Sequence, residues 1–409
     1  MVCEIADVSV RKILDSRCGF TVEVLVKGKD GNAALTRVPN STSTGEHEVC
    51  AYPKDGIDAG IERFTKTKER LKGYDAGDQA GIDSTLKSIG GKRYEEIGGN
   101  IATGVSISSA KLAAKSNGLE LYDYVNSVLM KGSGIVPGIP RPIGNLIGGG
   151  AHAHSNMSIQ EILISPKGES FMSNAYANGQ AHKKLGEELG RRGGAYGVNV
   201  EGAWNTGLSD IENVRLAHEV ADTVKDEFGI EMELGIDFAA SEYHESGRYT
   251  YSGKEISREE QIDFVSKLAQ EFRIRYIEDP VEENDFEGFA KINEALGRSA
   301  LVVGDDIYTT DPERLREGIR RRSSNAVLIK VNQIGTLSDT IEVVKLANMN
   351  KMKTVVSHRS RDTYDSFIAH LAVAFGSEYI KCGIVGGERV SKLNEVARIE
   401  GLRKEFQWK

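Results

Sequence analysis

Six charged or imidazole side chains close six short apolar runs in the second half of this chain. They are Asp237 in LGIDFAASE, Glu278 in RYIEDP, Asp305 in LVVGDD, Lys330 in AVLIKVNQ, His358 in TVVSHRS and Lys381 in YIKCG. Most of the intervals are roughly 25 residues, the length of one strand plus one helix in a β/α repeat. In a closed parallel barrel the C-terminal strand ends meet at one mouth, where active sites are built. The pattern predicts such a barrel, with three carboxylates, two lysines and a histidine facing one another. That set reads as a metal site with a base beside it.

The chain's 409 residues leave room for a second domain. A formal net charge of −8 and a pI near 5.7 argue against nucleic acid or an anionic membrane as the main partner. The short basic run Arg320, Arg321 and Arg322 follows helix-like sequence and reads as a solvated face. Cys3, Cys18, Cys50 and Cys382 show no CxxC spacing, no apolar run is long enough to span a bilayer, and no signal-peptide core opens the chain. The expected setting is reducing and cytoplasmic.

Along the chain, period-two alternation from Phe20 to Val26 and from Ala33 to Val38 flanks the turn Lys29-Asp30-Gly31-Asn32, which predicts a hairpin. Helical patterning follows from about Asp58 to Asn126, and the Gly- and Pro-rich stretch Met130 to Pro142 reads as a linker. Beyond it, apolar runs alternate with amphipathic helices; Leu337, Ile341 and Val344 share one helix face. The expected architecture is α/β: an N-terminal α+β cap over residues 1–130 and a β/α barrel over 131–409. Three polar, glycine-containing stretches, VPNSTSTGEHE, IGGGAHAHSN and RRGGAYGVNVEGAW, suit loops that close over a substrate.

Seven motifs in order, GIDFAASEY, IEDP, VGDD, LIKVNQIGTLSDTI, VVSHRS, IKCGIVGGER and KLNE, make the chain resemble the enolase family, in a form closer to archaeal sequences. The resemblance runs over essentially the whole length. It implies an enolase-type (β/α)8 barrel, with irregular first elements, behind the α+β cap, and a homodimer or higher homo-oligomer. It also implies a Mg²⁺-dependent lyase acting on a small phosphorylated carboxylate, 2-phosphoglycerate, to give phosphoenolpyruvate and water. The enolase superfamily is itself the standing example of a Lys or His base paired with one or two Mg²⁺.

By match of motif, Asp237, Glu278 and Asp305 are the ligands of one tight Mg²⁺, with Asp306 behind them. Lys330 is the base, its pKa expected to fall toward neutrality through burial and metal charge. Lys381 holds the substrate carboxylate. Glu201 in VNVEGAW is the acid, with Glu161 in SIQEILI sharing its proton. Gln160, Arg359 and Ser360 match substrate-binding positions, Arg359 suiting a phosphate. His152 and His358 match imidazoles near the substrate, whereas His154 and His370 read as surface or packing residues.

Departures from the family pattern concentrate around the site. The flap's SGAS becomes Asn40-Ser41-Thr42-Ser43, GDEG becomes Asn199-Val200-Glu201-Gly202, and SHRSGETED becomes SHRSRDTYD with Arg361 in place of glycine. In DSRGNPT, Cys18, Gly19 and Phe20 replace GNP, and KTG reads Lys381-Cys382-Gly383. The bulkier flap leaves open a second Mg²⁺ reached by Ser43. Arg361 predicts a bulkier or more anionic substrate at the phosphate end. Two further readings stay open: an enolase-like enzyme of phosphonate biosynthesis, such as a carboxyphosphonoenolpyruvate synthase, and a non-catalytic binding protein on this scaffold, for which the terminal Lys409 resembles plasminogen-binding enolases.

Overall fold

The computed structural model describes residues 3–42, 45–150, 157–193, 197–251 and 253–406. The cap begins with an antiparallel sheet of three strands, Ile5–Leu14, Phe20–Gly28 and Ala33–Arg37. The second and third strands form the expected hairpin. The first escapes a sequence pattern because Arg11 and Lys12 sit side by side on it and interrupt its alternation. Val22, Val24 and Val26 are fully buried, and the helix Gly99–Ser116 packs close to this sheet. Gly104 permits that approach, since a Cβ there would lie 2.3 Å from Val24 Cγ2. The same helix seals the cap to the barrel. Thr103 Oγ1 donates to the Gly335 carbonyl at 3.1 Å, and Ser106 Oγ accepts from the Leu337 amide at 2.9 Å.

The barrel has eight strands: Arg141–Gly148, Glu161–Pro166, Met232–Asp237, Tyr276–Glu278, Leu301–Gly304, Ala326–Ile329, Lys353–Ser357 and Tyr379–Lys381. The last pairs with the first and closes the ring. The all-parallel barrel expected from the repeat needs one correction. Glu161–Pro166 runs antiparallel to both of its neighbours. A wholly buried apolar run carries no mark of its direction, so the sequence pattern could not show this. The reversal matters because it brings the first residue of that strand, not the last, to the mouth, and Glu161 stands level with Asp237.

Inside the ring, Ile143, Leu163, Tyr276, Val303, Leu328 and Val355 pack together, while Ile236, Ile277, Val302, Val327 and Val356 face the surrounding helices. Each such side chain removed from water stabilises the fold by about 1.5–3 kcal/mol. Leu337, Ile341 and Val344 are buried on one face of the helix Leu337–Met349, whose N-terminus Thr336 caps. This packing is what holds the strand ends still. Among the described residues, no helix is long and apolar enough to cross a membrane.

Candidate active site

At the mouth, Glu278 stands level with Asp237 on one neighbouring strand, and Asp305 lies just past Val303 on the other. Lys381 Nζ is 2.7 Å from Asp237 Oδ2, 2.8 Å from Glu278 Oε1 and 2.9 Å from Glu161 Oε2. Burial disfavours the ammonium, but Asp237, Glu161 and Glu278 outweigh it and hold the Lys381 pKa well above its ordinary value. Glu278 is 0% exposed and also accepts the Tyr276 hydroxyl at 2.5 Å. Burial, then the charge of Asp237, pushes its carboxyl well above the usual range.

Lys330 ends the Ala326–Ile329 strand, its amide held by Thr310 Oγ1 at 3.0 Å and its ammonium paired with Asp305. The other Asp305 oxygen accepts Gln333 Nε2 at 2.9 Å. The fall expected for the Lys330 pKa combines burial with metal charge, and the protein's own groups supply only the first. Burial acts downward as argued, but the adjacent Asp305 carboxylate overcomes it and the net shift is upward. Asp279 sits behind this wall with a φ of 39° and accepts the amides of Asp305 at 3.0 Å and Asp306 at 2.8 Å.

On the opposite side Glu161 and Glu201 are joined by one amide. Asn145 Nδ2 donates to Glu161 Oε1 at 2.8 Å and to Glu201 Oε2 at 3.2 Å. Asn199 builds the turn that presents Glu201, its Oδ1 accepting the Glu201 amide at 2.9 Å and the Ala203 amide at 3.0 Å. His358 lies alongside, with Nε2 3.9 Å from Glu201 Oε2. Its Nδ1 accepts from Arg389 Nη1 at 2.7 Å and from the Gly383 amide at 3.3 Å. Neither donor can accept, so the ring proton of His358 resides on Nε2. Burial, then the Arg389 charge, holds the pKa of this imidazole well below its ordinary value. Position 383 must be glycine, because a Cβ there would lie 2.4 Å from the Glu201 carbonyl oxygen.

The third side is made by loops. Gln160 Nε2 lies 3.4 Å from Asp237 Oδ2, and Ser41, Arg359 and Ser360 line the cleft. Arg359 does not present an unpaired fork. Its Nη2 donates to Glu48 at 2.9 and 3.0 Å, and its Nη1 to Asn332 Oδ1 at 3.0 Å. Thr42 is docked on Ser360, amide to Oγ, at 2.9 Å. Arg361 corrects a sequence expectation: its guanidinium turns away from the cleft and pairs with buried Asp15, Nε at 2.8 Å and Nη2 at 2.7 Å. An arginine spent in that way adds no charge to the substrate. His152, His154, Ser43 and Lys409 lie outside the described residues.

Glu48, Asn145, Gln333 and Arg389 were not singled out from the sequence. Asn145 interrupts an apolar run (PIGNLIGG), a signal that could have found it. Arg389 opens a helix with ordinary charged neighbours and reads as surface. His370 is buried; its Nε2 pairs with Glu395 at 2.7 Å and its ring stacks on Tyr122, so it packs away from the cleft.

The donor set fits a hard divalent cation. Glu161, Asp237 and Glu278 share the Lys381 ammonium, and Asp305, paired with Lys330, gathers with Asp279 and Asp306, an excess of carboxylates that oxygen-seeking ions relieve. Burial and then the neighbouring carboxylate raise Asp279 and Asp306 well above the usual range. Among the described residues, ligand atoms within 4.8 Å of one another come from Asp279, Asp305 and Asp306, from Glu161, Glu201 and His358, and from Glu120, His370 and Glu395. The first touches Lys330 through Asp305 and the second touches Lys381 through Glu161; the third is already bridged by Arg398.

Residues 5–125 match the family described as enolase, N-terminal domain, and residues 137–407 match enolase, C-terminal TIM barrel domain. The chain is 47% identical over 404 residues to a protein named enolase from Thermoplasma acidophilum, covering 98% of this chain and 99% of the relative. It is 43% identical to the enolase of Picrophilus torridus, covering 97% and 98%, and 43% identical to that of Methanocorpusculum labreanum, covering 97% and 99%.

Proposed function

The chain belongs to the enolase family, and from that premise we propose how its own residues carry the reaction. It is a lyase that removes water from 2-phosphoglycerate to give phosphoenolpyruvate, and no comparison favours phosphonate chemistry or a non-catalytic scaffold. The single observation that carries the site assignment is the gathering of three carboxylates and two lysines at one buried mouth.

Lys330 takes the proton next to the substrate carboxylate, from a strand end that fixes its backbone. Lys381 holds that carboxylate, and Arg359, Ser360 and Gln160 orient the phosphate end, with His152 expected beside them. Asp237, Glu278 and Asp305 would hold Mg²⁺, which when bound neutralises charge building on the carboxylate. Glu201 gives a proton to the departing hydroxyl, kept beside Glu161 by the Asn145 amide. His358 contributes a hydrogen bond from Nε2 rather than exchanging a proton, as its tautomer requires. We assign residues 1–130 to the cap and 131–409 to the barrel, in a cytoplasmic homo-oligomer, as the family likeness supports.

The test is ultraviolet detection of phosphoenolpyruvate formed from 2-phosphoglycerate, with Mg²⁺ and with a chelator. Turnover that chelation abolishes is expected. Absence of turnover in protein that still binds Mg²⁺ would overturn the substrate assignment.

A further inference from the structure

Gly19, Asn40, Thr42 and Arg361 all depart from the family pattern, and they come from three separate segments of the chain. The structure gathers them into one contact network. Asp15, wholly buried, is its hub. One carboxylate oxygen accepts the amides of Arg17 and Gly19, each at 2.9 Å, and closes the 15–19 turn. The other accepts Arg361 Nε at 2.8 Å and lies 2.7 Å from Nη2. The backbone of Arg361 pairs with the flap: the Asn40 amide donates to the Arg361 carbonyl at 2.7 Å, and the Arg361 amide to the Asn40 carbonyl at 3.2 Å. Two residues on, Thr42 Oγ1 accepts Arg17 Nη1 at 3.1 Å and lies 2.9 Å from Ser360 Oγ. The turn and the 359–362 loop therefore grip the flap from two sides.

Gly19 makes this grip possible. A Cβ at that position would stand 1.5 Å from Arg361 Nη2 and 2.6 Å from Cζ, so any side chain evicts the guanidinium. The arginine that replaces a glycine in one loop thus needs the glycine that replaces a larger residue in another.

We propose that Arg361 is a positioning residue that holds the flap over the cleft through Asp15, and that Gly19 is its co-adapted partner. The proposal rests on the reaction assigned above only for its kinetic readout. Its effect on substrate runs through neighbours, since Ser41, Arg359 and Ser360 line the cleft and Arg361 does not.

A double-mutant cycle tests it, with R361G, G19N and the pair combined. Each single substitution is expected to raise KM for 2-phosphoglycerate about tenfold while kcat changes less than about threefold, because the flap is loosened and the strand-end residues are untouched. In the R361G background, G19N is expected to add little further, since the two atoms it would strike hardest belong to Arg361 and only Asp15 Oδ2, at 3.1 Å, stays close. R361K, which keeps the charge but loses the fork, recovers part of the loss. Independently of any substrate, amide hydrogen exchange at Asn40 and Thr42 is expected to quicken about tenfold in R361G. Additive single effects, or unchanged exchange at those two amides, would overturn the proposal. If the wild-type protein fails to turn over 2-phosphoglycerate, the exchange measurement still judges the network, so the two failures are distinguishable.

Discussion

Two walls of the same cleft are held by different means. Asp237, Glu278, Lys330 and Lys381 stand at the ends of strands whose ladder and packed interior fix them. Opposite them, Ser41, Arg359 and Ser360 stand on loops held by Glu48, Thr42 and Arg389, contributed by distant segments. A strand-end side chain has one address, and no neighbour can reproduce it. A loop wall can be rewired: Gly19 makes room for Arg361 outside the cleft, while Arg359 and Ser360 still line it. The departures at positions 19, 40–42 and 361 fall where the support is made of exchangeable contacts.

The comparison breaks most sharply at Lys330. Lys330→Ala is expected to cut proton exchange at the substrate's α-carbon by a factor on the order of 10²–10⁴, followed by deuterium incorporation, without weakening Mg²⁺ binding. Retained exchange would remove Lys330 as the base. Next comes Glu278→Gln, expected to weaken Mg²⁺ binding on the order of 100-fold by calorimetry. In chelator the same variant should melt no lower than wild type, because it relieves a crowd of buried carboxylates. A lower melting temperature would mean that Glu278 is structural.

Arg389 sharpens the contrast from the loop side. Arg389→Met leaves only the Gly383 amide, at 3.3 Å, on His358 Nδ1, so part of the ring proton should move to that nitrogen, visible in nitrogen-15 spectra, and kcat should fall about tenfold. It also takes the guanidinium from Asp362, which keeps Lys392 at 3.1 Å, so a stability loss smaller than the ~3–5 kcal/mol of an unpaired buried charge is expected. An unchanged tautomer would end the positioning role.

The smallest effect lies outside both walls and serves as the control. Glu395 accepts from His370 and then Arg398, which hold its carboxyl at about 2 against an ordinary 4.5. A depressed carboxyl adds stability that is fully present above pH 4.5 and is lost as pH falls toward 2. Urea melts of Glu395→Gln should therefore lose part of the acid dependence in that window and leave KM unchanged. An undiminished acid dependence would remove the pair from the account.

Strand-end chemistry was legible because charge at the end of an apolar run is anomalous on its face. The direction of Glu161–Pro166 was not, since its alternatives share one sequence pattern. Glu48 and Arg389 were hidden because their partners, Arg359 and His358, lie far away in sequence, and a charged loop or helix residue gives no period to read. Arg361 was misread for a related reason. Its two predecessors face the cleft, but pairing of its own backbone with Asn40 turns its side chain outward.

The closing pair of the barrel carries a consequence for synthesis of the chain. Arg141 and Tyr379, which pair across the ring, are 238 residues apart, and Lys381 follows on that final strand. A growing chain therefore makes Glu161, Asp237 and Glu278 long before the ammonium that all three share. Until the last strand docks, the nascent sheet is an open crescent with mutually repelling acids at one rim and an unpaired edge at each side. The reactive mouth is complete only with the strand that closes the ring.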